Sequence, residues 1–187
     1  MRFGMTVSQV DANLVTADHQ RGIAMAIERI HDFGYRRIGV IYNATHDRLM
    51  GGNRYGGLMW ACTLLGIEHP IPPLHCDEEE PIEGSQQALA AWMEAHHPDA
   101  ILTTVAQTVS ALRKLGYQIP RDVAVAGASL HDIPLDAGID QCPHAIGQIA
   151  AEMLIKQISL NERGEPPDPC RILVQSRWHD GQTLPRR

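Results

Sequence analysis

The stretch VTADHQRGIAMAIERIHDFGYRRIGVIYN, residues 15–43, narrows the choice of fold more than any other part of the chain. Asp18 can cap a helix, because its carboxylate reaches the orphan N–H groups of the first turn. Ile23, Ala26, Ile27 and Ile30 follow at helical spacing and form one apolar face. Gly34 suits the left-handed residue that ends a helix. Ile38-Gly39-Val40-Ile41 is a short apolar run rich in β-branched residues, which fits a strand covered on both faces. Helix, tight turn and buried strand make the unit from which parallel sheets with helices on both faces are built.

The unit recurs. Gly51-Gly52-Asn53 reads as a turn, 54–65 as a helix ending at Gly66, and 71–76 as a strand. Residues 83–96 read as a helix with Ala88, Leu89, Trp92 and Met93 on its apolar side. A buried strand is expected at 100–104, a helix at 106–115 ending at Gly116, and a buried strand at 123–126. A loop is expected from 127 to 140, an amphipathic helix over 144–160 and a last strand at 172–174. The expected fold is therefore a doubly wound α/β domain with a parallel sheet. In such sheets ligands bind outside the carboxyl ends of the strands, which selects the loops after residues 43, 76, 104 and 127.

The bulk properties limit the function classes. The 187 residues are 44% hydrophobic and 20% charged, ordinary for a globular protein. The formal net charge is −6, and the nearest things to a basic run are short pairs such as Arg36-Arg37 and Arg186-Arg187. A surface that grips DNA needs many more cations than that, so DNA contact is expected only through a segment other than this one. Cys62, Cys76, Cys142 and Cys170 are scattered and form no C-x-x-C pair, which reads as free thiols in a reducing cytoplasm. The opening residues have no apolar signal-peptide core, and no apolar stretch nears the roughly 20 residues that span a bilayer. A soluble, cytoplasmic protein is expected, without a membrane partner.

Several segments, in order, resemble the LacI/GalR family of sugar-responsive repressors. They are VTAD with its helix and GYRRIGVI, then NRYGGLMWACTLLGI, then PDAILTTVAQTVSALRKLGYQIPRDVAVAG with its I-P-x-D-V-x-V-x-G ending. AGIDQCPHAIGQIAAEMLIKQISLNERGEPP and RILVQSRWHDGQTL complete the series. The resemblance implies a type I periplasmic-binding-protein-like fold. It covers mainly the second lobe of the family's two-lobed sensor, with the helix-turn-helix and nearly all of the first lobe outside it. The implied organisation is an N-terminal hinge segment at 1–14, the second lobe at 15–141, and a crossover helix with terminal strand at 142–187. The implied function is effector sensing: a small molecule, a sugar or a less polar metabolite, closes a cleft and shifts paired DNA-binding heads. No catalysis and no cofactor are expected. In this family the long helix at 144–160 packs on the first lobe. Leaving its apolar face in water would cost several kcal/mol at roughly 25 cal/mol per Å², so a homodimer is expected.

The resemblance also supplies site residues. Arg54 matches the family arginine that makes bidentate bonds to effector oxygens; the plainer alternative is an exposed arginine at a helix start. Val105-Ala106 stand where the family carries asparagine-aspartate, and Ser129 stands where it carries an aspartate, so the expected pocket is less polar than a sugar site. His131 and Asp132 either compensate in part or are ordinary loop residues. Glu78 takes the place of an aromatic that stacks on the ligand, although the acidic run 77–80 also suits a solvated helix start. Asp18, Gln141 and Trp178 are expected at the hinge or lobe edge, in structural roles.

Other functions find less support. The chain has no G-x-S-x-G, Walker A or G-x-G-x-x-G motif. Gly51-Gly52-x-Arg54 and Gly56-Gly57 leave open a flavodoxin-like enzyme or phosphate-binding protein, without the lysine such loops carry. A transport-type solute-binding protein is the third reading, against which the absent signal peptide counts. His75, Cys76 and Asp77 match no metal-cage spacing, and no metal site is expected.

Overall fold

The computed structural model describes residues 2–3, 5, 11–76 and 82–187. In chain order the elements are β1 (Arg2–Phe3), β2 (Leu14–Ala17), α1 (His19–Asp32), β3 (Ile38–Tyr42), α2 (Ala44–Leu49), α3 (Asn53–Leu65), β4 (Leu74–His75), α4 (Ile82–His96), β5 (Ala100–Thr103), α5 (Thr108–Lys114), β6 (Ala124–Gly127), β7 (Gly138–Asp140), α6 (Pro143–Ser159), β8 (Arg171–Val174) and β9 (Arg177–His179).

The strands form two sheets. The larger has the order β4-β3-β5-β6-β7-β9 and the smaller β1-β2-β8. All neighbours pair in parallel except β7 and β9. Ile38 to Ile41 align with Ala100 to Thr103, which align in turn with Ala124 to Gly127. Apolar β-branched residues fill the central strands because both faces are covered. On one face α1 and α3 enclose a core that includes Ile27, Ile30, Val40 and Leu102. On the other, Leu89, Trp92 and Met93 of α4 and Leu112 of α5 pack on Ile41, Ile101 and Val125.

The doubly wound parallel sheet expected from the sequence is present, with differences of detail. Residues 14–17 form β2, which pairs with β8 in the smaller sheet, although 15–17 were expected in the second lobe. The strand expected at 71–76 is only Leu74–His75, where Pro72 and Pro73 remove ladder donors. The loop expected at 127–140 contains β7, and Ala88 is exposed rather than on the buried side of α4. β1, α2 and β9 have no counterpart in the expectations.

Local chemistry accounts for the helix ends. The Asp18 carboxylate accepts the Arg21 N–H at 2.9 Å, capping α1 as expected. Gly34, at φ +100°, turns the chain away from that helix. The chain passes between the sheets three times, after Ala17, after Asp140 and after Val174. Asp18 N–H donates to the Val174 carbonyl at 2.9 Å, binding the first passage to the third. At the second, Asp140 accepts the Cys142 N–H at 2.7 Å.

Candidate functional site

Arg54, Val105 and Ser129, three of the residues expected at the site, lie in the segments that follow β3, β5 and β6. Asn43, directly after β3, caps α2 by accepting the His46 N–H at 2.7 Å. That helix delivers Asp47, which is only 4% exposed. Its carboxylate takes the Arg54 N–H at 2.8 Å and the Tyr55 N–H at 3.3 Å. Gly52, the residue before α3, has no side chain to cap it. Asp47 therefore satisfies the orphan N–H groups from a neighbouring helix and holds the start of α3 in place.

Arg54 is half-buried, and its Nη1 is sealed from solvent without a hydrogen-bond partner. Burial pulls its pKa down, opposed by the carboxylates of Asp47 and Asp132. Burial also lowers the pKa of His19 at the head of α1, and the charge of Arg54 adds to the effect. The Tyr42 hydroxyl is pushed up to about 12, first by burial and then by Asp47 and Tyr55. A buried donor without an acceptor is costly, and such a cost is common where a ligand supplies the acceptor.

The other site candidates fall in different places. Ser129 is 8% exposed, and its hydroxyl donates to Asp132 at 2.6 Å. Through Asp132, whose charge acts on Arg54, it joins the Arg54 cluster. Val105 follows β5, gives its N–H to Thr103 Oγ1 at 2.9 Å, and lines a cavity of about 680 Å³ together with Asn43, His46 and Asp132. His131 points elsewhere: its Nε2 meets Asp140 Oδ1 at 3.0 Å, and His179 lies 3.8 Å from the other oxygen. Asp140 is held below the usual carboxylate range first by the Cys142 N–H, against the opposing effect of burial, and then by His131. Glu78 and the rest of the acidic run 77–80 lie outside the described residues.

Gln141 donates to the Ala128 carbonyl at 3.2 Å, tying the second passage to the loop after β6. It shares a small pocket with His19, Arg54 and Ser176, so residues next to all three passages meet the α3 start there. Trp178 sits on β9, edge-on to Phe33 at 6.3 Å, with its Nε1 bonded to Asp180 at 2.7 Å. It closes the outer edge of the larger sheet. Among the described residues no three His, Cys, Asp or Glu side chains are arranged to hold a metal, and no helix is long and apolar enough to cross a membrane.

Asp47, His19 and Ser176 are members of the cluster that sequence reasoning missed. A short polar segment between a strand and a glycine turn was the only trace of Asp47.

Residues 27–184 match the model of the periplasmic binding protein-like domain. The chain belongs to that family. This periplasmic binding protein-like chain also resembles solved structures. A complex of the transcriptional regulator CelR with cellobiose has a TM-score of 0.72 at 21% identity, over 97% of this chain and 57% of that one. A LacI family transcriptional regulator from Enterococcus faecium with bound ribose has a TM-score of 0.71 at 16% identity, over 99% and 70%. The transcription regulator CcpA of Lactococcus lactis has a TM-score of 0.69 at 14% identity, over 97% and 68%. These likenesses are of fold. The chain spans 57% of the length of the CelR structure. No curated protein matches the chain significantly.

Proposed function

We propose that this periplasmic binding protein-like chain is the effector-binding module of a LacI-type transcription regulator, acting in the cytoplasm and catalysing nothing. The observation that carries the reading is the buried Nη1 of Arg54, without a partner beside Asp47 and Asp132. An oxygen of a bound effector would satisfy it, and a guanidinium fork suits two such oxygens. The position supports the reading further. Arg54 shares a pocket with residues beside all three passages between the sheets, so an effector there would bias how the two sheets sit relative to each other.

The resembling regulators bound to cellobiose and ribose favour a small polar or semi-polar effector. DNA contact falls to a helix-turn-helix outside this chain, since the net charge is −6 and the sequence has no long run of basic residues. Effector binding is transmitted through a homodimer. The support is α6, which packs on β1 and β2 of the smaller sheet and on which Leu154, Ile155 and Ile158 are exposed, the last two at 63% and 65%. A second copy of this face would cover them.

The test is a thermal-shift series with ribose, cellobiose, other mono- and disaccharides and small organic acids. At least one class should raise the melting temperature of the wild-type chain, and Arg54→Ala should abolish that rise while leaving the ligand-free melting temperature within a few degrees. A ligand shift that survives Arg54→Ala would remove Arg54 from the site. No shift with any compound would overturn the effector-binding reading.

A further inference from the structure

We propose that the outer face of α3 is a second self-association surface, on which two copies of the chain pair with their α3 helices antiparallel. The surface is separate from the α6 face and does not depend on the effector reading.

Among the described residues, the exposed large apolar side chains fall into two groups. One lies on α6, the residue after it and β8, and the other on α2 and α3. The second group is Leu49 at the end of α2 and Tyr55, Met59, Trp60 and Leu64 on α3. At 3.6 residues per turn, those four α3 positions occupy one half of the helix circumference. Leu58, Ala61 and Cys62 on the other half are buried, where α3 packs against α1.

A surface helix ordinarily carries its charges on the outer side. α3 has a single charged residue, Arg54, and that one is half-buried. Thr63, on the outer half, donates its hydroxyl to the Met59 carbonyl at 2.9 Å, so it has no proton left for a partner. Trp60 is 50% exposed and Leu64 54%. Tyrosine, tryptophan and methionine are enriched where proteins meet one another.

Area and charge identify the occupant as a second copy. With roughly 150–250 Å² for a whole aromatic side chain, the five residues leave on the order of 500 Å² in water, a large patch for a monomer. Two such patches bury about 1,000 Å², the size of a weak, concentration-dependent contact rather than of a permanent one. Exposed Arg48 stands before the amino end of α3, and exposed Glu68 stands two residues past its Gly66 cap. No ion pair among the described residues includes either. The 13-residue helix between them is about 20 Å long. In an antiparallel pair about a two-fold axis, Arg48 of each copy comes to Glu68 of the other. Each positive helix end then meets a negative one. A parallel pair would bring like charges together.

The contact therefore adds to the α6 homodimer at concentrations well above micromolar. The test is sedimentation equilibrium from micromolar to submillimolar concentration. In Ile158→Glu, which removes the α6 contact, the expected result is a reversible monomer–dimer equilibrium in the upper part of that range. Adding Trp60→Glu should weaken it at least tenfold. Arg48→Glu alone should weaken it, and Arg48→Glu with Glu68→Arg should restore it. Wild type gives a second readout should Ile158→Glu fail to fold: its average mass should rise with concentration and stop rising in Trp60→Glu. Association of equal strength with and without Trp60→Glu would overturn the proposal, as would a monomeric Ile158→Glu protein across the whole range. Failure of the charge exchange to restore association would overturn the antiparallel pairing.

Discussion

The buried carboxylate of Asp47 accepts the backbone N–H of Arg54 at 2.8 Å, so the residue proposed to meet the effector is held by a cap delivered from a different helix. Asp47→Ala removes that cap. The expected cost is about 2 kcal/mol, or roughly 4–8 °C in melting temperature for a chain of this size. Effector affinity should fall as well, because the start of α3 loses its anchor. Melting curves and effector titrations of Asp47→Ala and Asp47→Asn check this, with the asparagine retaining part of both by accepting one N–H.

A second expectation concerns the seam between β6 and β7. Gly138 sits at φ +148°, and a Cβ there would overlap the backbone of Gly127, including its carbonyl oxygen. The opposing atoms are backbone and yield only if the strands part. Gly138→Ala should therefore cost about 1–3 kcal/mol from overpacking, with the strained φ adding to it. Chemical denaturation should show a lower midpoint with little change in slope. Wild-type stability in this variant would contradict the strand pairing described above.

His19 makes stability depend on pH in a direction that can be worked out. Its folded-state pKa lies below the ordinary 6.5, first through burial and then through the charge of Arg54. Between those two values the unfolded chain binds a proton that the folded chain does not. Stability from this residue is therefore complete above pH 6.5, declines as pH falls below it, and stops declining once the folded-state pKa is passed. His19→Gln should flatten the stability profile below pH 6.5. An unchanged profile in the variant would show that His19 is not the titrating group.

How much of this could be read beforehand differed by element. α1 and β3 were legible because Ile23, Ala26, Ile27 and Ile30 keep helical period and Ile38 to Ile41 are uniformly apolar, and both signals come from burial against a large core. β7 was not, since Gly138-Ile139-Asp140 has a single large apolar side chain and pairs with β6 through one register position. β9 was hidden by the polar flanks of Trp178, Arg177 and His179. α2 has no apolar period, and its start is set by the Asn43 cap. The candidate site was sought where the rule for open parallel sheets puts ligands, and Arg54 came from the family resemblance. Asp47 and His19 were invisible because their roles arise from contacts between elements rather than from spacing along one. Ser129 came from the family resemblance and His131 from its nearness to it in sequence, yet the turn after β6 sends His131 to Asp140 and Ser129 to Asp132.

The proposed homodimer has its own test. Leu154 and Ile158 lie four residues apart on the exposed side of α6, the spacing of a helix–helix seam. The chain should sediment as a dimer at micromolar concentration, and Ile158→Glu should convert it to a monomer without unfolding it. A wild-type monomer under those conditions would contradict the dimer.

The central claim is that Arg54 meets the effector through two oxygens, and calorimetry with whichever ligand class stabilises the chain tests it most directly. Dissociation constants are compared for wild type, Arg54→Lys and Arg54→Ala. The expected result is a stepwise loss, roughly tenfold or more for lysine, which keeps the charge but not the planar fork, and roughly hundredfold or more for alanine. The three proteins should melt within a few degrees of one another. Equal affinity across the three would contradict the account.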